Sequence, residues 1–218
     1  MREDQKRYDI LSQAEICFGE KGIHNTKLQD IASLLKISKK TIYKYFDSKD
    51  ELVKTVYTQK ATTMNTEVSN LAKNEELTFV EKMVRILALI KKELYHISPI
   101  VVSDLKVSDF EIERVITSYM EYAVFERFIG LLRQASNSGE LKKNVHIEAT
   151  GLLYRDALMS FLLMHHQVNI PEHIKVNLRP VDFLIRTLVT IFKGILISES
   201  IKIFDEMLDE GGIIKHEN

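Results

Sequence analysis

Helix-breaking residues are rare in this chain, and their scarcity limits the folds that it can adopt. Only three prolines and eight glycines occur in 218 residues, so long stretches can continue as uninterrupted helix. Apolar residues recur every three or four positions along most of these stretches, the spacing that gives a helix one apolar face. No segment shows a convincing strand-like alternation of apolar and polar residues. The sequence therefore predicts an all-α protein.

Three short helices and the start of a longer one are predicted within the first fifty residues. The first covers residues 3–21 and ends at Gly22, and the third covers residues 39–45. Side chains that can cap a helix N-terminus precede the second, third and fourth helices. The predicted caps are Thr26, with Gln29 completing a capping box, then Ser38, and then Ser48, with Glu51 completing a second box.

Longer amphipathic helices are predicted after about residue 70. They lie near residues 77–97, 99–106, 108–136, 146–167 and 179–197, with a short helix at 199–209. The sequence therefore predicts an N-terminal domain over residues 1–50 and a larger helical domain over residues 51–218. Because the helix that begins at Ser48 crosses this boundary, continuous helix rather than a flexible linker is expected to join the two domains.

The short helices have the spacing of a helix-turn-helix, and their charge is unusual for this chain. The protein carries a net charge of −1, yet residues 31–46 contain four lysines and no acidic residue. Ile42 and Phe46 lie four residues apart and would anchor the third helix on a small core. Its other side chains, Lys39, Lys40, Thr41, Tyr43 and Lys44, would then point outward. Lysines and hydroxyls donate hydrogen bonds to phosphates and base edges, so the pattern predicts binding in the major groove of double-stranded DNA.

A simpler interpretation applies to each of these lysines alone, since a single lysine usually covers a solvated face. Four lysines without an acid, beside helix-turn-helix spacing, favour the DNA interpretation. Lys49 adds a weaker argument, because it places a cation at the positive end of a helix. A DNA phosphate bound there would favour that placement, although Asp50 and Glu51 can also satisfy the helix end.

Residues 10–57 resemble the DNA-binding domain of the TetR (tetracycline repressor) family of bacterial transcription regulators. The resemblance covers roughly a quarter of the chain, and its features are Phe18, Gly22, Thr26, Ile31-Ala32, Ile37-Ser38, Thr41-Ile42-Tyr43, Tyr45-Phe46, Lys49 and Glu51-Leu52. It implies phosphate contacts by Thr26, Thr41, Tyr43, Tyr45 and Lys49. Lys27 and Ser38 complete the candidate DNA-binding set, with Lys39, Lys40 and Lys44 as candidate base readers.

Two residues depart from the pattern of the resembling family, which commonly has glycine at both positions. Lys36 stands in the turn, at a position that favours a positive φ and would strain a lysine. Lys40 stands at the part of the third helix closest to the bases. Its ammonium could donate to guanine O6 and N7, or reach a phosphate instead.

Two DNA-reading units on successive turns of the major groove require a dimer. Residues 179–197 are apolar around most of the helix circumference, so one face is expected to pack on a second surface. In the resembling family the last two long helices of each subunit form a four-helix interface, and residues 146–167 and 179–197 match them here. The alternative is a helix buried wholly within one subunit.

The resemblance also implies a pocket for a small-molecule effector in the larger domain. Candidate lining residues share aromatic, methionine or imidazole side chains at helical spacing. They are Phe110, Tyr119, Tyr122, Phe125, Phe161, Met164 and His165, with Met159 beside them. Such side chains are more often ordinary core than a ligand site.

Other functions lack sequence support. His165 and His166 are adjacent, so their rings would diverge on a helix and chelate a metal poorly. No catalytic or nucleotide-binding motif occurs, and neither an enzyme nor a cofactor is expected. Cys17 alone cannot form an internal disulfide, no apolar run approaches the ~18 residues needed to span a bilayer, and the charged N-terminus does not resemble a secretory signal. These features predict a cytoplasmic protein without a membrane partner.

Two functions remain open from the sequence. The first is a ligand-responsive, homodimeric DNA-binding regulator, expected to be a repressor acting on a palindromic operator. The second is a helical small-molecule-binding or scaffold protein whose helix-turn-helix no longer reads DNA.

Overall fold

The computed structural model describes residues 2–94, residue 104, and residues 125–162 and 180–214. Within these ranges the chain is helical, which confirms the predicted all-α class, and its only extended pairing is an isolated bridge between Leu141 and Leu196. The helices are α1 (Arg2–Lys21), α2 (Leu28–Leu34), α3 (Lys39–Ile42), α4 (Lys49–Lys73), α5 (Phe79–Leu94), α6 (Phe125–Ser138), α7 (Ile147–Leu162), α8 (Pro180–Ile195) and α9 (Ser198–Glu210).

The predicted helices agree with these bounds except at α3. That helix was expected to reach residue 45, but it ends at Ile42, and a hydrogen-bonded turn continues to Phe46. The helix predicted over residues 99–106, and the parts of the others over 108–124 and 163–167, lie outside the described residues. No helix in the described ranges is long and apolar enough to cross a membrane.

The chain forms two compact units that divide within α4, between Thr63 and Met64. The N-terminal unit contains α1, α2, α3 and the first part of α4, together with Asp104 from later in the chain. The C-terminal unit contains the rest of α4 and α5 to α9. The predicted continuous helix between the two parts is therefore present, and the predicted boundary at residue 50 also falls inside α4.

The N-terminal unit is built around one small apolar core. Helix α1 contributes residues spaced at three and four positions, as its sequence predicts, and the other helices close over them. Burial of each large side chain in such a core contributes about 1.5–3 kcal/mol relative to leaving it exposed. The largest fully buried members are Phe18, Phe46, Ile10, Ile31, Ile42 and Leu52.

The C-terminal unit has its own core, in which four aromatic rings from four helices form a continuous row. The ring of Phe128 on α6 lies 4.0 Å from that of Tyr154 on α7, and Tyr154 lies 6.1 Å from Phe192 on α8. Phe192 meets Phe204 of α9 edge to face at 6.1 Å. Ring contacts at such distances stabilise beyond simple area burial, so this row ties α6 to α9 together.

A carboxylate in the segment after α6 fixes the start of α5. Helix α6 ends at Ser138, the following Gly139 adopts a φ of 80°, and the next residue is Glu140. Its side chain accepts hydrogen bonds from the N–H groups of Phe79 and Val80 at 3.2 and 3.3 Å. An anion at a helix N-terminus satisfies otherwise unpaired N–H groups and the positive end of the helix dipole. Glu140 thus joins two elements sixty residues apart in sequence.

The turn between α2 and α3 is held by two backbone hydrogen bonds at the end of α2. The N–H of Ile37 donates to the carbonyl of Ala32 at 2.9 Å, and the N–H of Lys36 donates to the carbonyl of Ser33 at 3.2 Å. This pattern is a Schellman motif, which places the residue after the helix cap in the left-handed region. Lys36 occupies that position with a φ of 54°. The predicted positive φ at Lys36 is therefore confirmed.

Lys36→Gly is expected to raise the free energy of unfolding of the N-terminal unit by about 1 kcal/mol, because glycine adopts a positive φ without a clash of Cβ. Urea denaturation followed by far-UV circular dichroism measures the change. Lys36→Ala is the matched control, since it removes the same charge and keeps Cβ, and it should not stabilise. Equal stabilisation by both variants would show that charge, and not the backbone, causes the effect.

Candidate nucleic-acid interface

Ser38 positions the start of α3. Its backbone is extended and its hydroxyl accepts a hydrogen bond from the N–H of Thr41 at 3.1 Å, so the predicted N-cap is confirmed. The hydroxyls of Ser38 and Thr41 also lie 2.8 Å apart and share a hydrogen bond. The hydrogen bonds of both side chains therefore stabilise the first turn of the helix.

Two buried side chains fix the orientation of α3 and the turn after it. Ile42 and Phe46 are 0% and 1% exposed in the core of the N-terminal unit. The predicted inward and outward faces are correct, since Lys39, Lys40 and Lys44 are exposed on the opposite side. Hydrogen bonds from the N–H groups of residues 43–46 to carbonyls of residues 39–42 keep the turn helical after α3 ends. The outward side chains therefore belong to one rigid, cationic surface.

Tyr43 and Tyr45 differ in exposure, although both were predicted to contact phosphate. Tyr43 is 45% exposed on the outward surface, and the ammonium of Lys39 lies 5.6 Å from the centre of its ring. Such a cation–π contact restrains both side chains. Tyr45 is half-buried and packs against the core of the N-terminal unit. Tyr43 thus presents more of its surface to a ligand than Tyr45 does.

Thr26 differs from the other candidate residues because its side chain is completely buried. Its hydroxyl lies 2.7 Å from the carbonyl oxygen of Gly22 and 3.0 Å from that of Cys17, and donates to these groups at the end of α1. A fully buried side chain presents no surface to a phosphate, so only the backbone of Thr26 could take the phosphate role that the resemblance implies, and that role stays a prediction. The hydroxyl instead binds backbone carbonyls in the last turns of α1 and just after it.

The predicted capping box of Thr26 and Gln29 is wrong. Helix α2 begins at Leu28, so Lys27 is its N-cap, and the carboxylate of Asp30 accepts from the N–H of Lys27 at 3.2 Å. Only Asp30 can act as the side-chain acceptor in this pair, because a lysine ammonium donates and cannot accept. The side chain of Lys27 is exposed at the start of α2, as a phosphate contact would require.

Helix α4 starts as the sequence predicts, with one difference. The hydroxyl of Ser48 accepts from the N–H of Glu51 at 3.0 Å. The carboxylate of Glu51 reaches the N–H of Asp47, one residue before the cap. Both groups stabilise the N-terminus of α4, which lies directly after the cationic turn.

Lys49 is half-buried and turns toward the segment between α1 and α2. Its ammonium donates to the carbonyl of His24 at 3.4 Å. Burial lowers the pKa of Lys49, while the nearby carboxylates of Asp50 and Asp104 act in the opposite direction. The ammonium therefore has an internal acceptor in this structure.

Asp104 completes this polar group, and sequence reasoning missed it. Its buried carboxylate accepts from the N–H of His24 at 3.0 Å and lies 3.7 Å from the His24 imidazole Nε2. Eighty positions separate the two residues, so no local sequence pattern could have indicated the contact. Asp104 anchors a later part of the chain on the turn that precedes α2.

Arg7 is a second residue that the sequence did not indicate. It is exposed on α1, and its guanidinium lies 5.2 Å from the centre of the Phe46 ring, at the end of the cationic turn. The contact brings a further cation to the end of the cationic turn. No signal marked Arg7, because residues 2–9 contain three basic and three acidic side chains and therefore no surplus of positive charge.

Most candidate effector-binding residues cannot be placed. Phe110, Tyr119, Tyr122, Met164 and His165 lie outside the described residues, as does the side chain of Phe161 at the end of α7. Phe125 is half-buried at the start of α6, where the guanidinium of Arg155 lies 5.9 Å from its ring centre. Met159 is half-buried on α7.

Helices α7 and α8, which correspond to the predicted dimer segments, pack against each other. Each also carries large apolar side chains that face solvent. Leu152 and Leu153 on α7 are 41% and 60% exposed, and Phe183 on α8 is 40% exposed. Across the described part of the chain, no group of three His, Cys, Asp or Glu side chains is placed to hold a metal ion.

Comparisons with known proteins agree with this architecture. The sequence profile of bacterial regulatory proteins of the tetR family matches residues 10–56, the segment that forms most of α1, then α2, α3 and the start of α4. No curated protein sequence matches the chain significantly.

Solved structures match over nearly the whole chain, at sequence identities that establish the fold alone. A TetR-family regulator from Agrobacterium tumefaciens has a TM-score of 0.66 at 14% identity, covering 89% of this chain and 99% of that one. FadR from Bacillus subtilis, solved with stearoyl-CoA, has a TM-score of 0.60 at 17% identity, covering 86% and 98%. SmeT, the repressor of a multidrug efflux pump of Stenotrophomonas maltophilia, has a TM-score of 0.62 at 17% identity, covering 89% and 92%.

The profile match and the shared fold are those of transcriptional regulators, which agrees with the expectation of a non-enzymatic protein. Residues 10–56 thus carry the sequence profile of the tetR family of bacterial regulatory proteins, and the described chain has the fold of solved TetR-family regulators.

Proposed function

We propose that this protein is a ligand-responsive transcriptional repressor that binds a palindromic operator as a homodimer, in the cytoplasm. The observation that carries the DNA-binding part is the outward surface of α3 and its following turn. Lys39, Lys40, Tyr43 and Lys44 are exposed together there, and the buried Ile42 and Phe46 prevent the helix from rotating away. No acidic residue occurs from residue 31 to residue 46.

The remaining polar groups around this surface support phosphate contacts. Lys27 is exposed at the start of α2, where helix N–H groups also favour an anion. Arg7 brings a guanidinium to the end of the cationic turn. Lys49 lies at the start of α4 and could exchange its bond to the His24 carbonyl for a bond to a phosphate. These groups surround the base-facing side chains, as positioning contacts do in DNA readers.

The positive φ of Lys36 bears on the alternative of a helix-turn-helix that no longer reads DNA. A lysine in a turn that favours glycine would support that alternative if it distorted the turn. Lys36 nevertheless adopts a φ of 54° and closes the Schellman motif. The turn therefore has the geometry that presentation of α3 requires, which favours DNA binding.

Selection from random duplex DNA at physiological salt is expected to enrich a palindromic site. Affinity for that site should fall with salt by about 0.9 log unit per log unit for each phosphate neutralised. Lys44→Ala should reduce this slope by about 0.9, the share of one phosphate contact. Lys202 is an exposed lysine on α9, and Lys202→Ala should leave the slope unchanged. Absence of any enriched sequence, with weak binding only at low salt, would favour the non-reading scaffold.

Homodimer formation is proposed through α7 and α8. Leu152, Leu153 and Phe183 expose apolar surface on two helices that pack together, and the family resemblance assigns these segments to a four-helix interface. Two recognition surfaces about 34–36 Å apart could then enter successive major grooves of one duplex face. Burial of these side chains on a second copy would remove the apolar surface from water.

Leu153→Glu is expected to convert the dimer to monomer, because the carboxylate would be buried unpaired at the interface. Analytical ultracentrifugation measures the change. The monomer should remain folded, since Leu153 faces solvent within its own subunit. Ile203→Glu, at an exposed position on α9, is the matched control and should remain dimeric. A Leu153→Glu protein that stays dimeric would place the interface elsewhere.

A small molecule bound by the C-terminal unit is proposed to control DNA affinity. Helix α4 has residues in both units, and Asp104 binds the turn that precedes α2 through His24. An effector shifts the DNA-binding equilibrium only if it binds the two conformations with different affinity. Helix α4 is the route by which such a difference would reach the N-terminal unit, where the contact of Asp104 with His24 lies. Phe125 and Met159 are the described candidates for effector contact.

A thermal-shift screen that includes stearoyl-CoA, the ligand of the similar FadR structure, should find a compound that raises the melting temperature and weakens operator binding. Asp104→Asn should keep the binding of that compound and reduce its effect on DNA affinity, because the carboxylate contact to His24 is weakened. Asp205→Asn on α9 is the control. An effector that stabilises the wild-type protein yet leaves operator affinity unchanged would contradict this part of the proposal.

A further inference from the structure

We infer that Lys40 reads the base sequence and that it selects guanine at one position in each half-site of the operator. This inference rests on the proposed DNA-binding function. It goes further by assigning base recognition to one of the outward side chains and by naming the base that this side chain prefers.

Four other polar side chains of the recognition surface, those of Ser38, Lys39, Thr41 and Tyr43, already have partners. The hydroxyls of Ser38 and Thr41 bind each other, and Ser38 also caps α3. The ammonium of Lys39 lies 5.6 Å from the centre of the Tyr43 ring, which directs both side chains along the surface of the turn. A group held by such a contact must break it before it can enter the groove and pair with a base edge.

Lys40 differs from these residues because its side chain has no such partner in the described part of the chain. It is the second residue of α3 and is exposed. Within the ranges that the structure describes, no carboxylate or aromatic ring is found paired with its ammonium. The first residues of a recognition helix are those that contact base edges when the helix lies in the major groove. Lys40 can therefore extend toward the bases without losing an internal contact.

Lys44 is also exposed, but it lies after the C-terminal end of α3 rather than in its first turn. It follows the end of α3 at Ile42, and its N–H donates to the carbonyl of Thr41 in the turn toward α4. A side chain at the C-terminal end of the recognition segment lies nearer the phosphate backbone than the base edges. Lys44 is accordingly assigned to a phosphate, as the salt-dependence experiment above assumes.

The chemistry of an ammonium group determines which base it prefers. A lysine side chain carries three donors and no acceptor. In the major groove guanine presents two adjacent acceptors, O6 and N7, whereas adenine presents N7 beside the N6 amino donor. An ammonium can donate to both guanine atoms, whereas at adenine it would face the N6 amino group, which is also a donor. The expected preference for guanine over another base is roughly 5- to 150-fold in affinity.

The test compares the sequences enriched by the wild-type protein, Lys40→Gln and the matched control Lys39→Gln. The wild-type protein should enrich guanine at one position of each half-site. Lys40→Gln should enrich adenine at that position, because a glutamine amide both donates to adenine N7 and accepts from N6. Lys39→Gln should bind more weakly while enriching the same sequence as the wild-type protein.

A second measurement uses the wild-type protein alone and does not depend on how a variant behaves. Replacing the selected guanine with 7-deazaguanine removes the N7 acceptor and should lower affinity at least about 5-fold. Hypoxanthine keeps O6 and N7 and lacks only the minor-groove amino group, so it should bind about as well as guanine. Unchanged binding to the 7-deazaguanine site would overturn the inference.

The outcomes separate this inference from the proposed function. A wild-type protein that enriches a palindrome without a guanine that responds to Lys40→Gln would overturn the assignment of Lys40 and leave DNA reading intact. A wild-type protein that enriches no sequence would overturn both.

Discussion

The burial of Ile42 and Phe46 is the contact on which the proposed interface depends. Helix α3 is only one turn long, too short to hold its own conformation in water. The two buried side chains fix it on the core of the N-terminal unit, and the backbone bonds of the following turn extend this fixed segment to Phe46. The lysines and Tyr43 face solvent because the opposite side of the helix is anchored.

A second set of contacts holds this core at the turn between α1 and α2. Thr26 satisfies carbonyls at the end of α1, while the backbone of His24 binds both Lys49 and Asp104. Side chains from the start of α4 and from a distant part of the chain therefore meet at one short turn. Polar contacts of this kind are stronger where water is partly excluded, and burial of Lys49 and Asp104 provides that condition.

The C-terminal unit uses a different arrangement. Its row of aromatic rings connects α6 to α9, and the carboxylate of Glu140 fixes where α5 begins. These internal contacts leave Leu152, Leu153 and Phe183 on the outside of α7 and α8. Apolar side chains that the core does not use are available for a second copy, which is the physical basis of the proposed dimer.

The sequence by itself determined the all-α class, the main helices, the cap at Ser38 and the two faces of α3. All of these follow from interactions within a few residues, such as helical spacing and capping. The positive φ of Lys36 was expected from the glycine that the resembling family commonly has there. Only the tertiary structure decided that Thr26 is buried, that Lys49 turns toward His24, that Arg7 lies over Phe46 and that Asp104 reaches the α1–α2 turn. Each of these depends on residues far apart in sequence, whose approach is set by packing and carries no local sequence signal.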